Sequence, residues 1–157
     1  MSPKAALKKE LLLALRETLE VLTRAHLDAR EGATHEEAKP EDDKDTRALE
    51  QSYLARGQAA RIDALKAGIA ELEMMPVTPL KDAPAGPGAL VEAEEEDGAH
   101  TFFIAPEGGG TRLRKGAVQV VTPRSPLGQA LVGKRAGDDC EVQLAGKTRE
   151  LSIVRVS

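Results

Sequence analysis

One short stretch of the chain holds most of its candidate chemistry. Residues Gly32–Asp45 (GATHEEAKPEDDKD) contain six carboxylates and two lysines, a formal charge of −4. The whole chain of 157 residues also has a net charge of −4, so its other acids and bases balance. The acids are Glu36, Glu37, Glu41, Asp42, Asp43 and Asp45. Carboxylates concentrated in this way can deliver negative charge and oxygen ligands to a cationic or metal-bearing site.

The composition argues against several classes of active site. With no Trp, one Tyr and two Phe, an aromatic-lined pocket for sugars, bases or a large cofactor is not expected. Cys140 is the only cysteine, which excludes a disulfide framework and a cysteine metal cluster. His26 and His35 have no second ligand at zinc spacing, and the acidic stretch lacks the EF-hand pattern. We therefore predict no nucleophile and no stably bound metal or cofactor.

Two helical patterns flank the acidic stretch. Apolar residues at alternating spacings of three and four predict a helix from Pro3 to Arg30, with Ser2 as its N-cap and Gly32 ending it. A second pattern of the same kind predicts a helix from about Asp43 to Met74. Small and polar residues occupy the loop-proximal half of its seam, so the packing should weaken toward the loop.

These patterns indicate an antiparallel helical hairpin, or coiled coil, over residues 1–75, with an acidic tip loop at 32–45. Four prolines follow within residues 76–88, which predicts a linker. From residue 89 to 157 the apolar period changes to two, which is typical of strands. The predicted strands are Ala89–Glu94, Ala99–Ala105, Gly116–Val121, Cys140–Leu144 and Arg149–Val156, with a short helix at Pro126–Val132 that starts at Ser125 and ends at Gly133.

The predicted fold class is therefore α+β, a helical hairpin followed by a small antiparallel sheet with one short helix. A second acidic run, Glu92 and Glu94–Asp97, falls at a hairpin turn, where we expect it to be solvated. No apolar run approaches ~18 residues, so we expect no membrane association. The single cysteine suits a reducing, cytoplasmic location.

The C-terminal half resembles a known family in the residues around the short helix. Over Ser125–Asp138 the sequence SPLGQALVGKRAGD, followed by the hairpin EVQLAGKTRELSIVRV, is similar to the C-terminal domain of the bacterial GreA/GreB transcript-cleavage factors. The matching residues are Ser125, Pro126, Leu127, Ala130, Leu131, Gly133, Lys134, Gly137 and Asp138. The N-terminal half is similar in architecture, since that family also carries a long helical hairpin with essential acids at its tip.

The resemblance implies an FKBP-like C-terminal domain that docks on RNA polymerase core, and a hairpin that enters the polymerase secondary channel. Tip carboxylates would share the polymerase's loosely held second Mg²⁺ and orient a water for RNA hydrolysis. The chain would then be an activator of the polymerase and no enzyme itself. A monomer is expected, with contact to RNA in the complex. The fold relation also suggests prolyl isomerase activity, but Phe102 and Phe103 are too few for its aromatic pocket.

The resemblance also indicates site residues. Arg61–Ile62 is similar to an Arg-Ile that follows the family's tip, and counting back from it places the working acids in the region of Glu41–Asp45. The candidates in that region are Glu41, Asp42, Asp43 and Asp45. The residues that the resemblance implies for docking on the polymerase are Ser125, Pro126, Lys134 and Arg135. The positive surface of the C-terminal domain comprises Arg112, Arg114, Lys115, Arg124, Lys134 and Arg135.

The tip departs from the family pattern. The family carries a GDL followed by Glu-Asn between its helices, whereas this loop has no such motif and is longer and more acidic. Three functions therefore stay open. The chain stimulates cleavage of backtracked RNA, or it occupies the channel and regulates transcription without cleavage, or it is a coiled-coil interaction module unrelated to polymerase.

Overall fold

A computed structural model of the chain describes residues 2–37 and 46–157. These residues form three helices and six strands, and they separate into two compact units. The sheet unit comprises Ala70–Ser157 together with the start of the first helix up to Leu13, and the hairpin unit comprises Ala14–Ile69. The elements are α1 (Pro3–Glu37), α2 (Thr46–Met74), β1 (Leu90–Glu95), β2 (Gly98–Ile104), β3 (Arg112–Leu113), β4 (Val118–Val121), α3 (Pro126–Leu131), β5 (Asp139–Leu144) and β6 (Lys147–Val156).

The start of α1 is as predicted, but its end is not. Ser2 caps the helix, because its Oγ accepts the Ala5 N–H at 3.1 Å. The predicted stop at Gly32 is wrong, and so is a tip loop beginning there, because the helix continues to Glu37. A glycine inside a helix costs only about 1 kcal/mol relative to alanine, and the alanine and glutamates that follow favour the helical conformation.

Burial in the hairpin unit is confined to one end of its helices. Leu15 of α1 and Ile62, Leu65 and Ile69 of α2 are buried. Between residues 16 and 31, and between 49 and 61, no described side chain is buried. Farther along the seam the helices meet through polar groups, with His26 Nδ1 lying 3.1 Å from Gln58 Oε1. The expected weakening of the packing toward the loop is therefore confirmed for the described residues.

The six strands form one sheet in the order β3-β4-β2-β1-β6-β5. The pairs β1–β2, β1–β6, β3–β4 and β5–β6 are antiparallel, as expected for a largely antiparallel sheet. The pair β2–β4 is parallel, so the sheet is mixed, and the prediction of a mainly antiparallel sheet is confirmed. Parallel neighbours need a crossover connection, and residues 105–117 provide it. The two-residue strand β3 was not predicted, because two residues are too few to show the alternation of apolar and polar side chains that is typical of a strand.

One face of the sheet is buried, whereas the opposite face is buried only at β2, β3 and β4. Glu92 of β1, Gln143 of β5 and Val154 of β6 point to that opposite face by alternation and are exposed. Phe102 and Ile104 belong to a core that includes Leu127 and Leu131 of α3. Phe103 points to the opposite face by strand alternation, yet it is also 0% exposed. The buried residues of the sheet unit outside the α3-side core include Leu7, Leu11 and Leu72 of the helices, and Met75, which directly follows α2. We infer that these four side chains cover the second face around Phe103, so the ends of α1 and α2 form a partial layer of the sheet unit.

The stretch predicted to be a linker is tied to the sheet by backbone hydrogen bonds. Ala85 exchanges two bonds with the loop after α3, its N–H donating to Lys134 O and its C=O accepting from Gly133, both at 2.8 Å. The Gly88 N–H donates to Ile104 O at 2.8 Å. Gly88 also has φ +89°, and a Cβ on it would lie 2.5 Å from Pro76 O. The prolines and glycines therefore shape a packed segment of the sheet unit.

Two lysines of α1 fix the start of that helix to the rest of the sheet unit. Lys4 is only 6% exposed, and its Nζ donates to Thr78 O at 2.9 Å and to Ser157 O at 3.1 Å. Burial lowers the pKa of Lys4. Lys8 Nζ donates to Glu73 O and Met75 O, both at 2.8 Å. These carbonyls lie at the C-terminal end of α2, where a cation also complements the helix dipole.

Replacing Lys8 by alanine should reduce the free energy of unfolding by about 1–2 kcal/mol, because two carbonyls at a helix end lose a charged donor. Urea denaturation followed by circular dichroism measures the change. The neighbouring exposed residue Lys9, replaced by alanine, is the matched control and should stay within about 0.5 kcal/mol of the wild type. Equal effects of the two substitutions would contradict the capping role of Lys8.

No helix within the described residues combines the length and the apolar character needed to cross a membrane.

Candidate functional site

The four predicted tip acids, Glu41, Asp42, Asp43 and Asp45, lie outside the described residues. Their position follows from chain order alone, since α1 ends at Glu37 and α2 begins at Thr46. They therefore belong to the connection between the two helices of the hairpin. Their role stays a prediction from the sequence.

The predicted docking residues Ser125 and Pro126 form the start of α3. Ser125 Oγ accepts the Gly128 N–H at 3.0 Å and donates to Thr122 O at 2.8 Å, while Pro126 occupies the first turn of the helix. This confirms the predicted N-cap. Gly128 is in close contact with the preceding loop, since a Cβ there would lie 1.8 Å from Thr122 O. Ser125 and Gly128 thus hold α3 directly on the end of β4, and Pro126 is exposed.

Lys134 and Arg135 follow α3 after Gly133, whose φ of +86° ends the helix as predicted. The Arg135 guanidinium donates to Asp82 O, and its backbone N–H donates to Asp138 Oδ2 at 2.8 Å. Lys134 is half-buried and Arg135 is exposed. The four predicted docking residues therefore flank α3, with Ser125 and Pro126 at its start and Lys134 and Arg135 after its end. Their role in docking stays a prediction from the sequence.

A groove of about 710 Å³ lies beside α3 and is lined by Lys134 together with residues of β5 and β6. Cys140 lies in this groove and is buried. Burial raises the pKa of its thiol, and the nearby Lys134 charge offsets this only in part. The thiol is therefore held in its protonated, poorly nucleophilic form. This agrees with the prediction that Cys140 is a small buried residue.

The six basic residues predicted as one positive surface are divided between two places. Arg112, Arg114 and Lys115 lie on β3 and the turn after it, at one edge of the sheet. Lys134 and Arg135 lie next to β5, the opposite edge. Arg124 lies between them in sequence, just before α3. The sequence could not show this division, because strand order is not readable from local patterns.

The turn that carries Arg114 and Lys115 has an unusual backbone. Both residues have positive φ, +50° and +57°, a conformation that disfavours non-glycine residues. Contacts to α1 stabilise it, because the Arg114 N–H donates to Glu10 Oε1 at 3.0 Å and its guanidinium donates to Pro3 O at 3.4 Å. The turn is thereby held against the first turns of α1, and Arg114 is partly engaged within the protein.

The second acidic run is solvated as expected at Glu92, Glu94, Glu96 and Asp97, but not at Glu95. The side chain of Glu95 is only 9% exposed, and its Oε1 accepts from Arg149 Nε at 2.7 Å and Nη2 at 2.6 Å. His100 Nε2 lies 2.8 Å from Asp97 Oδ1 and 3.1 Å from Glu95 Oε2. Hydrogen bonding to His100 lowers the pKa of Asp97. This cluster was not predicted, although Glu-x-Asp-x-x-His at a predicted hairpin turn is a usable signal in the sequence.

The two phenylalanines do not form a pocket. Phe102 and Phe103 are both 0% exposed and belong to opposite faces of the sheet. Neither side chain is therefore exposed to line a binding pocket.

Comparison with known proteins identifies relatives of both parts of the chain. The family model described as the C-terminal domain of transcription elongation factors GreA and GreB matches residues 85–157. Transcription elongation factor GreA of Methylococcus capsulatus is 33% identical over 138 residues, covering 85% of this chain and 75% of the relative. The same factor of Magnetococcus marinus is 27% identical over 152 residues, covering 96% of this chain and 83% of the relative.

Among solved structures, GreA factor homolog 1 of Thermus thermophilus aligns over 93% of this chain and 94% of its own, at 20% identity and a TM-score of 0.40. With a third of the residues identical over most of both chains, this protein belongs to the GreA/GreB family of transcription elongation factors.

Proposed function

We propose that this protein binds bacterial RNA polymerase core and modulates elongation by presenting the acids at the end of its helical hairpin to the secondary channel. The observation that carries the proposal is the 33% identity to an elongation factor GreA over 85% of the chain. A match of that extent includes parts of both the hairpin and the sheet unit, so the whole molecule and not only the C-terminal domain is related. A cytoplasmic location follows from this partner.

The sheet unit is the proposed docking module. Ser125 and Pro126 start α3, and Lys134 and Arg135 follow its end, so the surface next to this helix offers an exposed proline and two cations. The cations would meet an acidic surface of the polymerase and accelerate association. A contact with RNA in the complex would be made by the bases at the β3 edge of the sheet, which are Arg112, Arg114 and Lys115.

The proposed chemical role of Glu41, Asp42, Asp43 and Asp45 is to bring carboxylates to the polymerase's own magnesium site. Mg²⁺ accepts oxygen ligands and usually keeps several waters, so additional carboxylates can hold a weakly bound ion and position a water. Hydrolysis would then take place in the polymerase active site, and the chain would act as an activator without catalysing a reaction alone. Any Mg²⁺ would be shared within the complex and not carried by the free protein.

Replacing Glu41, Asp42, Asp43 and Asp45 together by alanine should lower transcript cleavage in backtracked complexes by at least about 100-fold, comparable to the loss of a charge-stabilising group in other active sites. Binding to core polymerase should be retained. The measurement follows shortening of stalled RNA and co-purification of polymerase in parallel.

The matched control neutralises a different acidic run of the same chain. Glu92, Glu94 and Glu96, replaced by alanine, remove charge from the sheet unit and should leave cleavage unchanged. If the tip variant shortens stalled RNA as well as the wild type, the role assigned to the four acids is wrong. If core polymerase does not co-purify with the wild type, the protein is an interaction module with another partner.

A second candidate is a channel-binding regulator without cleavage activity. It is favoured by the absence of the GDL and Glu-Asn motif from the tip, where this chain has a longer and more acidic loop. For such a regulator, wild type and tip variant both leave stalled RNA intact, while the wild type changes the rate of elongation or initiation. The same pair of proteins therefore separates the two candidates.

A further inference from the structure

We propose that Glu95, Asp97 and His100 form a binding site for a first-row divalent transition metal ion, with Zn²⁺ as the representative ligand. The three residues lie at the β1–β2 hairpin turn of the sheet unit. The proposal does not depend on the proposed function.

Three electron-pair donors converge at this turn. Nε2 of His100 lies 2.8 Å from Asp97 Oδ1 and 3.1 Å from Glu95 Oε2, and one ligand atom from each residue lies within 4.8 Å of the others. A ring nitrogen carries at most one hydrogen, which cannot satisfy two carboxylates equally well. A cation among the three groups would use the nitrogen lone pair and both carboxylates at once.

Two further side chains orient the donors. Arg149 binds Glu95 Oε1 through both Nε and Nη2, which leaves Oε2 directed at His100. The His100 ring stacks on Phe102 at a centroid separation of 6.2 Å and an interplanar angle of 17°. Because Phe102 is fully buried, it holds the imidazole plane in place. Outer partners of this kind orient ligands in known metal sites.

The distances fit a transition metal. Bonds of about 2.1 Å to nitrogen and oxygen place neighbouring ligands about 3.0 Å apart in an octahedral site and about 3.4 Å apart in a tetrahedral one. The observed 2.8 and 3.1 Å match the octahedral spacing and need to widen by only a few tenths of an ångström for the tetrahedral one. Asp97 is 70% exposed and can move by that amount. An imidazole ligand favours Zn²⁺, Ni²⁺ or Cu²⁺ over Mg²⁺.

The surrounding groove favours a cation. Glu94, Glu96 and Glu150 line it together with Glu95 and Asp97, against Lys147 and Arg149 as the bases. The excess of carboxylates creates a negative potential that concentrates divalent ions near the turn. Since Asp97 is exposed, the ion reaches the site directly from solvent and retains water at its other coordination positions.

Titration of the full chain with Zn²⁺ by isothermal calorimetry tests the site. The tip variant with Glu41, Asp42, Asp43 and Asp45 replaced by alanine serves as the parent protein, so that its acids do not contribute heat. We expect one Zn²⁺ per chain, and Asp97→Asn and His100→Ala should each weaken binding at least about tenfold, as loss of a ligand or its partner does elsewhere. Mg²⁺ should compete weakly or not at all.

Glu96→Gln is the matched control, because it removes one charge from the same turn without removing a ligand. It should change the Zn²⁺ affinity by no more than about twofold, as expected for a screened surface charge. His26→Ala should also leave binding unchanged, while the His100 imidazole signals of the parent should shift on addition of Zn²⁺ in an NMR spectrum.

Equal losses for Asp97→Asn and Glu96→Gln would show a general charge effect and overturn the proposal. The absence of Zn²⁺ binding would also overturn it, and the cluster would then be an ion-pair network around His100. Thermal unfolding of each variant without metal shows whether it is folded. If His100→Ala is unfolded, the folded Asp97→Asn protein decides the outcome, since that substitution preserves the shape of an exposed turn residue.

Discussion

Replacing Gly128 by alanine is expected to reduce the free energy of unfolding of the sheet unit by about 3 kcal/mol or more. A Cβ at this position would lie 1.8 Å from Thr122 O and 2.7 Å from Thr122 C, and neither backbone atom can move without displacing β4. Helix α3 would have to leave the sheet, and Leu127 and Leu131 would leave the core with it. Alanine normally stabilises a helix relative to glycine, so a substitution that lowers the free energy of unfolding here is the opposite of the usual effect.

Urea denaturation, together with amide hydrogen exchange in α3 and β4, measures this effect. Gly86→Ala is the control within the same unit, because a Cβ there meets nothing within 4 Å; it should stay within about 0.5 kcal/mol of wild type. Gly57→Ala, in α2 with equally open surroundings, should stabilise the hairpin unit by about 0.5–1 kcal/mol. A neutral or stabilising Gly128→Ala would contradict the close contact between α3 and β4.

Replacing Phe103 by alanine should cost about 3–5 kcal/mol, as much as the same substitution at Phe102. Both side chains are fully buried, but only Phe102 belongs to the core under α3. The cost at Phe103 therefore depends on the helical layer on the other face of the sheet, which we infer from the burial of Leu7, Leu11 and Leu72. A sheet covered by α3 alone would leave Phe103 in solvent, where its removal costs little.

The two phenylalanine variants are compared by chemical denaturation with Tyr53→Ala as the aromatic control. Tyr53 is 63% exposed, so its removal should change the free energy of unfolding by less than about 0.5 kcal/mol. A cost below about 1 kcal/mol for Phe103→Ala, alongside a full cost for Phe102→Ala, would mean that the second face is not covered in solution.

Local signals were sufficient for many elements of the fold. The Ser-Pro start and the glycine end of α3 predicted its bounds to within one residue, because a cap and a positive φ are properties of the residues themselves. The hairpin β5–β6 was also predicted from alternation around a short turn. Gly32 was a weaker signal, since a glycine only lowers helix propensity, and the helix continues past it to Glu37.

The candidate sites differ in how far the sequence could identify them. The acidic character of Glu36–Asp45 and its position between two helices could be predicted from composition and helical periodicity alone. The cluster of Glu95, Asp97 and His100 could be identified only with the register of β1 and β2. This register pairs Glu95 with Gly98 and Ala93 with His100. Arg149, which fixes Glu95, comes from β6, and the pairing of β1 with β6 includes a register shift that alternation alone does not reveal.

By itself the sequence determined the helical hairpin, the change to strands after residue 88, the concentration of acids and the family resemblance. These depend on near neighbours in the chain, where backbone preference and side-chain periodicity act directly. Only the tertiary structure decided the parallel pairing of β2 with β4, the burial of Phe103, the packing of residues 76–88 and the convergence of Glu95 with His100. Each of these depends on which distant segments exclude water from one another, and that is a property of the whole folded chain.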